Sequence, residues 1–394
     1  MGLRMWCKAW RTGALAALLL PVALPGQGGP PRGPEVVSPE VHADRRVTLR
    51  ILAPRADSVR VTGEIITNRA APSAMARDSS GVWSLTVGPL APDVYTYAFT
   101  VDGVHTPDPL NGYAKTGPGG IFPLSSQVEV PGDGPQYYDA RPVPHGVVSI
   151  VQYDSKALGV PRRALVYTPP GYAAGSRAYP LLVLMHGIGE TEVDWVLTGR
   201  ANQILDNLIA DGRAVPMVVV MPFGLARQSV GLGPVPNPLP GEPMRGDPFA
   251  FAAIERDLLG DLLPLVEKGF RVSRRAEERA IMGLSLGGAQ ALRIGLNNLD
   301  RFRTVVGLSA ALLEQDPATG YAALFANPAA ANSRLRRLHI TIGADDRLIA
   351  GNRAFAERLT KAGVRHTFHV GEGGHTWRVW RRNVYDIIPT LFKP

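Results

Sequence analysis

The sequence predicts a doubly wound, largely parallel α/β sheet preceded by a smaller all-β sandwich. Three observations carry that expectation. Short runs of alternating apolar and polar residues occupy residues 40–131, and from Tyr179 onward apolar runs alternate with amphipathic segments. The third is Gly283-Leu284-Ser285-Leu286-Gly287, set between an apolar run and a helix-like one. At 394 residues, 45% hydrophobic and 19% charged, the chain has ordinary globular composition and length for two cores.

The elements follow in order. Arg4, Lys8 and Arg11 precede the apolar stretch Ala14 to Leu24, which Pro21 interrupts and small residues follow at Gly26, Gly28 and Gly29. That stretch is too short to span a bilayer and predicts an export signal over 1–26, hence a secreted or periplasmic protein with no membrane attachment after cleavage. Residues 27–39 are rich in Gly and Pro and predict a linker. Arg46 to Leu52, Ser58 to Thr62, Gly81 to Val87 and Tyr95 to Val101 alternate in period two, and the alternation ends at Thr106-Pro107-Asp108-Pro109. Trp83, Tyr95 and Tyr97 are expected to fill the sandwich core rather than bind carbohydrate. A second Pro/Gly-rich linker covers 132–144, and the larger domain is expected over 145–394.

Gly146 to Tyr153 and Arg162 to Thr168 predict a hairpin. Strands are then expected at Leu181 to Met185, Met217 to Met221, Ala280 to Met282, Thr304 to Leu308, Leu338 to Ile342 and Thr367 to Val370. A helix from about Phe251 places Ile254, Leu258, Leu262 and Val266 on one face, with a kink expected at Pro264. The stretch from Phe223 to Asp247, dense in Pro and Gly, follows a strand and should lie near the rim of any site at the strand ends.

A strand, a sharp turn at serine and a helix make a nucleophile elbow. Its glycines are required because side chains there would collide with the strand and helix that the turn joins. A serine hydroxyl needs a base to take its proton, and the base needs a partner to orient it. After an elbow, the acid and then the histidine follow in sequence. Leu338 to Ile342 runs into Gly343-Ala344-Asp345-Asp346, and the run ending at Val370 leads to Gly373-Gly374-His375. His375 is the expected base among eight histidines. Spacing alone does not separate Asp345 from Asp346 as the acid. His186-Gly187-Ile188-Gly189 suits an oxyanion loop, which assigns the donors to the N–H groups of Ile188 and Leu286.

Other chemistries lack their signals. The chain has one cysteine, Cys7, within the expected export signal, so no disulfide framework or Cys-based metal site is expected. There is no H-E-x-x-H, and His366 and His369 fall on opposite faces of their strand. No G-x-G-x-x-G follows an early strand, so no dinucleotide is expected. The net charge of +8 is scattered and forms no basic stripe, which argues against nucleic acid as partner. No cofactor and no metal are expected.

The segment Arg275 to Ala311, with Arg279-Ala280-Ile281-Met282-Gly283-Leu284-Ser285-Leu286-Gly287-Gly288, resembles the feruloyl esterases of carbohydrate esterase family 1. Further matches are His186-Gly187-Ile188-Gly189 with Asp194-Trp195, Gly343 to Ile349, and Gly374-His375-Thr376-Trp377 with Trp380. The resemblance implies an α/β-hydrolase fold, Ser285 as nucleophile, His375 as base and Asp346 rather than Asp345 as acid. It implies an acylated polysaccharide or oligosaccharide as substrate, and places Trp195, Phe223, Trp377 and Trp380 as candidate contacts to it. The first domain resembles the early-set, immunoglobulin-like sandwich that precedes some bacterial members. Acetylxylan esterase, siderophore esterase and mycolyl-type acyltransferase are the neighbouring activities, and a non-catalytic carbohydrate-binding protein is the alternative of a different class.

Overall fold

The computed structural model describes residues 35–67, 73–116, 123–226, 250–312 and 320–393. The expected export signal and nearly all of the Pro/Gly-rich stretch before Asp247 lie outside the described residues. Among the described residues no helix is long and apolar enough to cross a membrane.

The N-terminal region builds two antiparallel sheets. One orders its strands β1 (Glu40–Val41), β2 (Val47–Leu52), β5 (Val82–Val87) and β4 (Ala76–Arg77). The other orders β3 (Val59–Thr62), β6 (Asp93–Val101), β9 (Pro123–Val130) and β8 (Ala114–Thr116), with β7 (Val104–Thr106) beside β6. Alternation puts Val47, Leu49 and Ile51 of one sheet against Val59, Val61, Tyr97 and Phe99 of the other in one shared core. Trp83, Tyr95 and Tyr97 are buried in or beside it. Strands therefore continue past Thr106-Pro107-Asp108-Pro109, where the alternation was expected to stop. The last long strand, β9, reads Pro-Leu-Ser-Ser-Gln-Val-Glu-Val and carries too many polar residues to show an apolar period.

The C-terminal region builds a single eight-stranded sheet, termed the second sheet to set it apart from the β-rich pair, in the order β10 (Val147–Ser155), β11 (Val160–Thr168), β13 (Val218–Pro222), β12 (Leu181–Met185), β14 (Arg279–Leu284), β15 (Thr304–Leu308), β16 (Arg337–Gly343) and β17 (Thr367–Gly371). The first pair is an antiparallel hairpin, and β12 through β17 pair in parallel. The continuous apolar runs are explained by burial on both faces. Leu181, Val183 and Met185 enter one core with Val218, Ile281 and Val305, while Leu182 and Leu184 enter the other with Val219, Met282 and Val306. The strand order reverses at β12 and β13, so β14 ends beside β12 at the point where such sheets hold their ligands.

Ile254, Leu258, Leu262 and Val266 are all buried in the first of those cores, as their spacing predicts. A π-helical stretch, Asp257–Leu262, separates the α-helical segments Phe251–Arg256 and Leu263–Gly269. Proline has no N–H to donate back along the helix, and the wider π turn just before it absorbs that mismatch.

The connection over 132–144 is pinned rather than loose. Tyr138 is buried against the second sheet's helices, and the Asn207 amide donates to the carbonyls of Tyr137 and Asp139 at 3.1 and 2.9 Å. The β-rich region also reaches across it. Asp93 of β6 pairs at 2.5 Å with Arg381 of helix Trp377–Ile387, and Val94 packs in the core of the second sheet.

Candidate active site

Ser285 follows β14 and begins the helix Ser285–Asn297 at φ +52°, a left-handed conformation that a serine adopts only under constraint. The Ala311 N–H donates to the Ser285 carbonyl at 2.8 Å and helps hold it. A Cβ on Gly287 would run into the carbonyls of His186 and Met185, and one on Gly283 into the Gly287 carbonyl. These two contacts are why the elbow needs glycine on both sides. Gly287→Ala is accordingly expected to destabilise the fold by at least ~1–3 kcal/mol, the usual range for overpacking. Urea unfolding checks this, and a variant as stable as the parent would show that the elbow has room to relax.

The other two partners follow the ends of β16 and β17. His375 Nε2 lies 3.0 Å from Ser285 Oγ, and His375 Nδ1 lies 2.8 Å from Asp346 Oδ2. Asp346 is buried, whereas Asp345 faces solvent. Burial would by itself raise the Asp346 pKa, but hydrogen bonds from His375 and from the Leu348 N–H hold it below the usual value. An ionised Asp346 keeps the ring proton on Nδ1 and leaves Nε2 free to accept the serine proton.

The loop His186-Gly187-Ile188-Gly189 is braced from beneath. The Gly187 N–H donates to Glu190 at 2.8 Å, and the His186 ring accepts from the Gly224 N–H at 2.8 Å. Burial pushes the His186 pKa down to about 4, so this histidine is a neutral support and not a base. Ile188 projects from the loop with 57% exposure, and Leu286 is the second residue of the helix Ser285–Asn297, where N–H groups have no acceptor within the helix.

Asp194 closes the same loop by accepting from the N–H and hydroxyl of Thr191 at 2.7 and 3.1 Å. Burial pushes its pKa up to about 7, with Lys115 and the Thr191 bonds only partly opposing. Between pH ~4 and pH ~7 the folded chain retains a proton that the unfolded aspartate has released, so stability falls as pH rises through that window. Asp194→Asn should flatten this slope. Unfolding free energies measured at about pH 5 and about pH 7.5 test it, and an unchanged slope would remove Asp194 as its source.

A cavity of about 180 Å³ opens over Ser285 and His375. Gly187, Ile188, Trp377 and Trp380 line it. Two expected contacts do not reach it. Trp195 is fully buried, with its indole N–H on the Met185 carbonyl at 3.0 Å, and Phe223 is buried beside Leu225, Leu286 and the His186 ring. Both are used to support the loop floor. The residues that sequence reasoning missed are Glu64, Thr96 and Lys115, which border the cavity from the β-rich region, together with Glu190 and Arg347. No motif marks the first three, because their place depends on how the β-rich region seats on the second sheet.

The Esterase family model matches residues 155–391, more than half of the chain. The chain belongs to the Esterase family. A relative of this esterase, the endo-1,4-β-xylanase/feruloyl esterase of Xylanibacter ruminicola, is 29% identical over 90% of this chain and 46% of its own length. An esterase of Mycobacterium tuberculosis is 27% identical over 61% of this chain and 58% of its own. The chain thus spans about half the length of the curated relatives it matches. Among solved structures, a ferulic acid esterase is 26% identical, with TM-score 0.52, over 62% of this chain and 98% of that one. The enterobactin esterase of Shigella flexneri, 21% identical with TM-score 0.63, shares the fold over 88% of this chain and 92% of that one. Together they identify the second sheet and its helices as an α/β-hydrolase fold.

Proposed function

We propose that this esterase is an exported serine carboxylic-ester hydrolase that releases feruloyl or related hydroxycinnamoyl groups from plant cell-wall polysaccharide such as arabinoxylan. One observation carries the reading: the continuous hydrogen-bonded path from Ser285 through His375 to Asp346, with the serine on a left-handed elbow. Ser285 Oγ attacks the ester carbonyl carbon while His375 Nε2 takes its proton, and Asp346 stabilises the resulting imidazolium. The N–H groups of Ile188 and Leu286 receive the oxyanion. The carbon–oxygen bond to the alcohol then breaks, and the alcohol leaves with the proton from His375. Water, deprotonated by the same histidine, cleaves the acyl-enzyme and regenerates Ser285.

The acyl group is proposed from the feruloyl esterase relative, which aligns with nine-tenths of this chain. The export signal over 1–26 and an early-set, immunoglobulin-like sandwich over 40–131, joined through 132–144 to an esterase domain over 145–394, belong to the same proposal. The test is acid release from feruloylated arabinoxylan and from acetylated xylan, by mature protein and by Ser285→Ala. Ferulate release that the variant lacks is the expected result. Serine-dependent acetate release alone would move the substrate to acetylxylan. Activity on neither, with hydrolysis of a catecholate siderophore ester, would move it to siderophores.

A further inference from the structure

The loop that carries Ile188, a proposed oxyanion donor, is closed by one side chain. Glu190 Oε2 accepts from the Gly187 N–H at 2.8 Å, so a carboxylate three residues on returns to the start of the turn, with Gly189 at φ +75° inside it. A Cβ on Gly187 would lie 3.3 Å from the Ser285 Cβ and 3.2 Å from Glu190 Oε2, so the nucleophile and the carboxylate both pack against that residue. The other carboxylate oxygen belongs to the β-rich region. Lys115 of β8 donates to Glu190 Oε1 at 3.1 Å. The two side chains are 17% and 6% exposed, which separates this pair from the solvated surface pairs that contribute little. Burial disfavours the ammonium, yet Glu190 and Asp194 hold its pKa above the usual value. The Trp377 ring centroid lies 5.9 Å from Nζ, within cation–π range. Glu64 and Asp93 of the β-rich region bond to Trp377 and Arg381 on helix Trp377–Ile387, whereas Lys115 bonds to the loop itself.

We propose that Lys115 is a positioning residue for ester hydrolysis: through Glu190 it holds the loop, and with it the Ile188 N–H, in place beside Ser285. The β-rich region thereby completes the catalytic geometry of the second sheet. The inference rests on the esterase reading. Without Lys115 the buried Glu190 carboxylate must turn to water or take a proton. Either change weakens its bond to the Gly187 N–H, because a charged acceptor bonds roughly twice as strongly as a neutral one. A group displaced by ~1 Å at such a site can cost ~10²-fold in rate.

Lys115→Met keeps the aliphatic stem and removes the charge. With p-nitrophenyl acetate its kcat is expected to fall at least about tenfold, short of the ~10²–10³-fold loss of a whole oxyanion donor, with KM within about twofold of the parent. Replacing both partners, as Lys115→Met with Glu190→Gln, leaves no buried charge and keeps an acceptor for the Gly187 N–H, so kcat should recover most of that loss. Amide hydrogen exchange over residues 186–190 reads the loop without turnover. It should quicken in Lys115→Met and return toward the parent in the double variant, while the strands of the second sheet exchange as in the parent. An unchanged kcat, a raised KM in place of a lowered kcat, a double variant no faster than Lys115→Met, or unchanged exchange over the loop would each overturn the proposal. Exchange that quickens across the whole second sheet would mean a role in the fold alone and would also overturn it. The expected loop response in a parent without serine-dependent turnover would sink the esterase reading and keep Lys115 as the support of the loop. Serine-dependent turnover with a loop and a kcat indifferent to Lys115→Met would do the reverse.

Discussion

Ser285→Ala is expected to lower ester turnover by about 10⁶-fold, to the residual rate that binding and oxyanion donors supply by themselves. The substitution removes the hydroxyl 3.0 Å from His375 Nε2 and little else. Serine and alanine share the Cβ, so the strained φ of +52° is the same for both and the fold should be retained. The His375–Asp346 hydrogen bond at 2.8 Å does not depend on Ser285 and should persist. In the proposed mechanism the three groups act in one proton path, so His375→Ala should cost a similar factor, and the double variant should cost scarcely more than either single one. The measurement is single-turnover hydrolysis of p-nitrophenyl acetate, with circular dichroism to show that the variant is folded. A folded Ser285→Ala protein that kept even a hundredth of the parent rate would end the serine mechanism.

Arg381→Leu is expected to destabilise the protein by ~3–5 kcal/mol, the cost of leaving one side of a buried ion pair unpaired. The Arg381 guanidinium is fully buried and donates to Asp93 at 2.5 Å, to the Val94 carbonyl at 2.6 Å and to the Thr198 carbonyl at 2.7 Å. Removing it strands a buried carboxylate and two carbonyls. Arg378 lies 3.7 Å from the other Asp93 oxygen but is half exposed, so it offers only a screened replacement. Exchanging both partners, as Asp93→Leu with Arg381→Leu, should recover much of the loss because no charge is then left buried. Urea unfolding of the parent and these two variants measures this. A single-variant loss below about 1 kcal/mol, the range of surface pairs, would mean that water reaches the pair.

The second sheet and its elbow were readable because their physics is local. Strands buried on both faces must be apolar without interruption, and β12 and β15 are bounded where their apolar runs begin and end. A serine turn between strand and helix must have glycine where backbone meets backbone, so Gly283 and Gly287 mark Ser285 from the sequence itself. The order of acid and histidine after the elbow follows from strands that all end on one edge of a parallel sheet.

Tertiary structure decided what depends on direction and on distant packing. Asp345 and Asp346 are chemically equal neighbours, and only the course of the loop turns Asp346 toward His375 and Asp345 toward solvent. Trp195 and Phe223 stand near the site in sequence, yet the core takes both of them, because large apolar side chains gain most where water is excluded. Glu64 meets Trp377 across 313 residues of chain, a contact set by the fit of one layer on another and by no pattern in the sequence around either residue. The sequence by itself determined the scaffold and the serine elbow, since each rests on short-range sterics and burial period. The far wall of the cavity was decided only when the β-rich region seated on the second sheet.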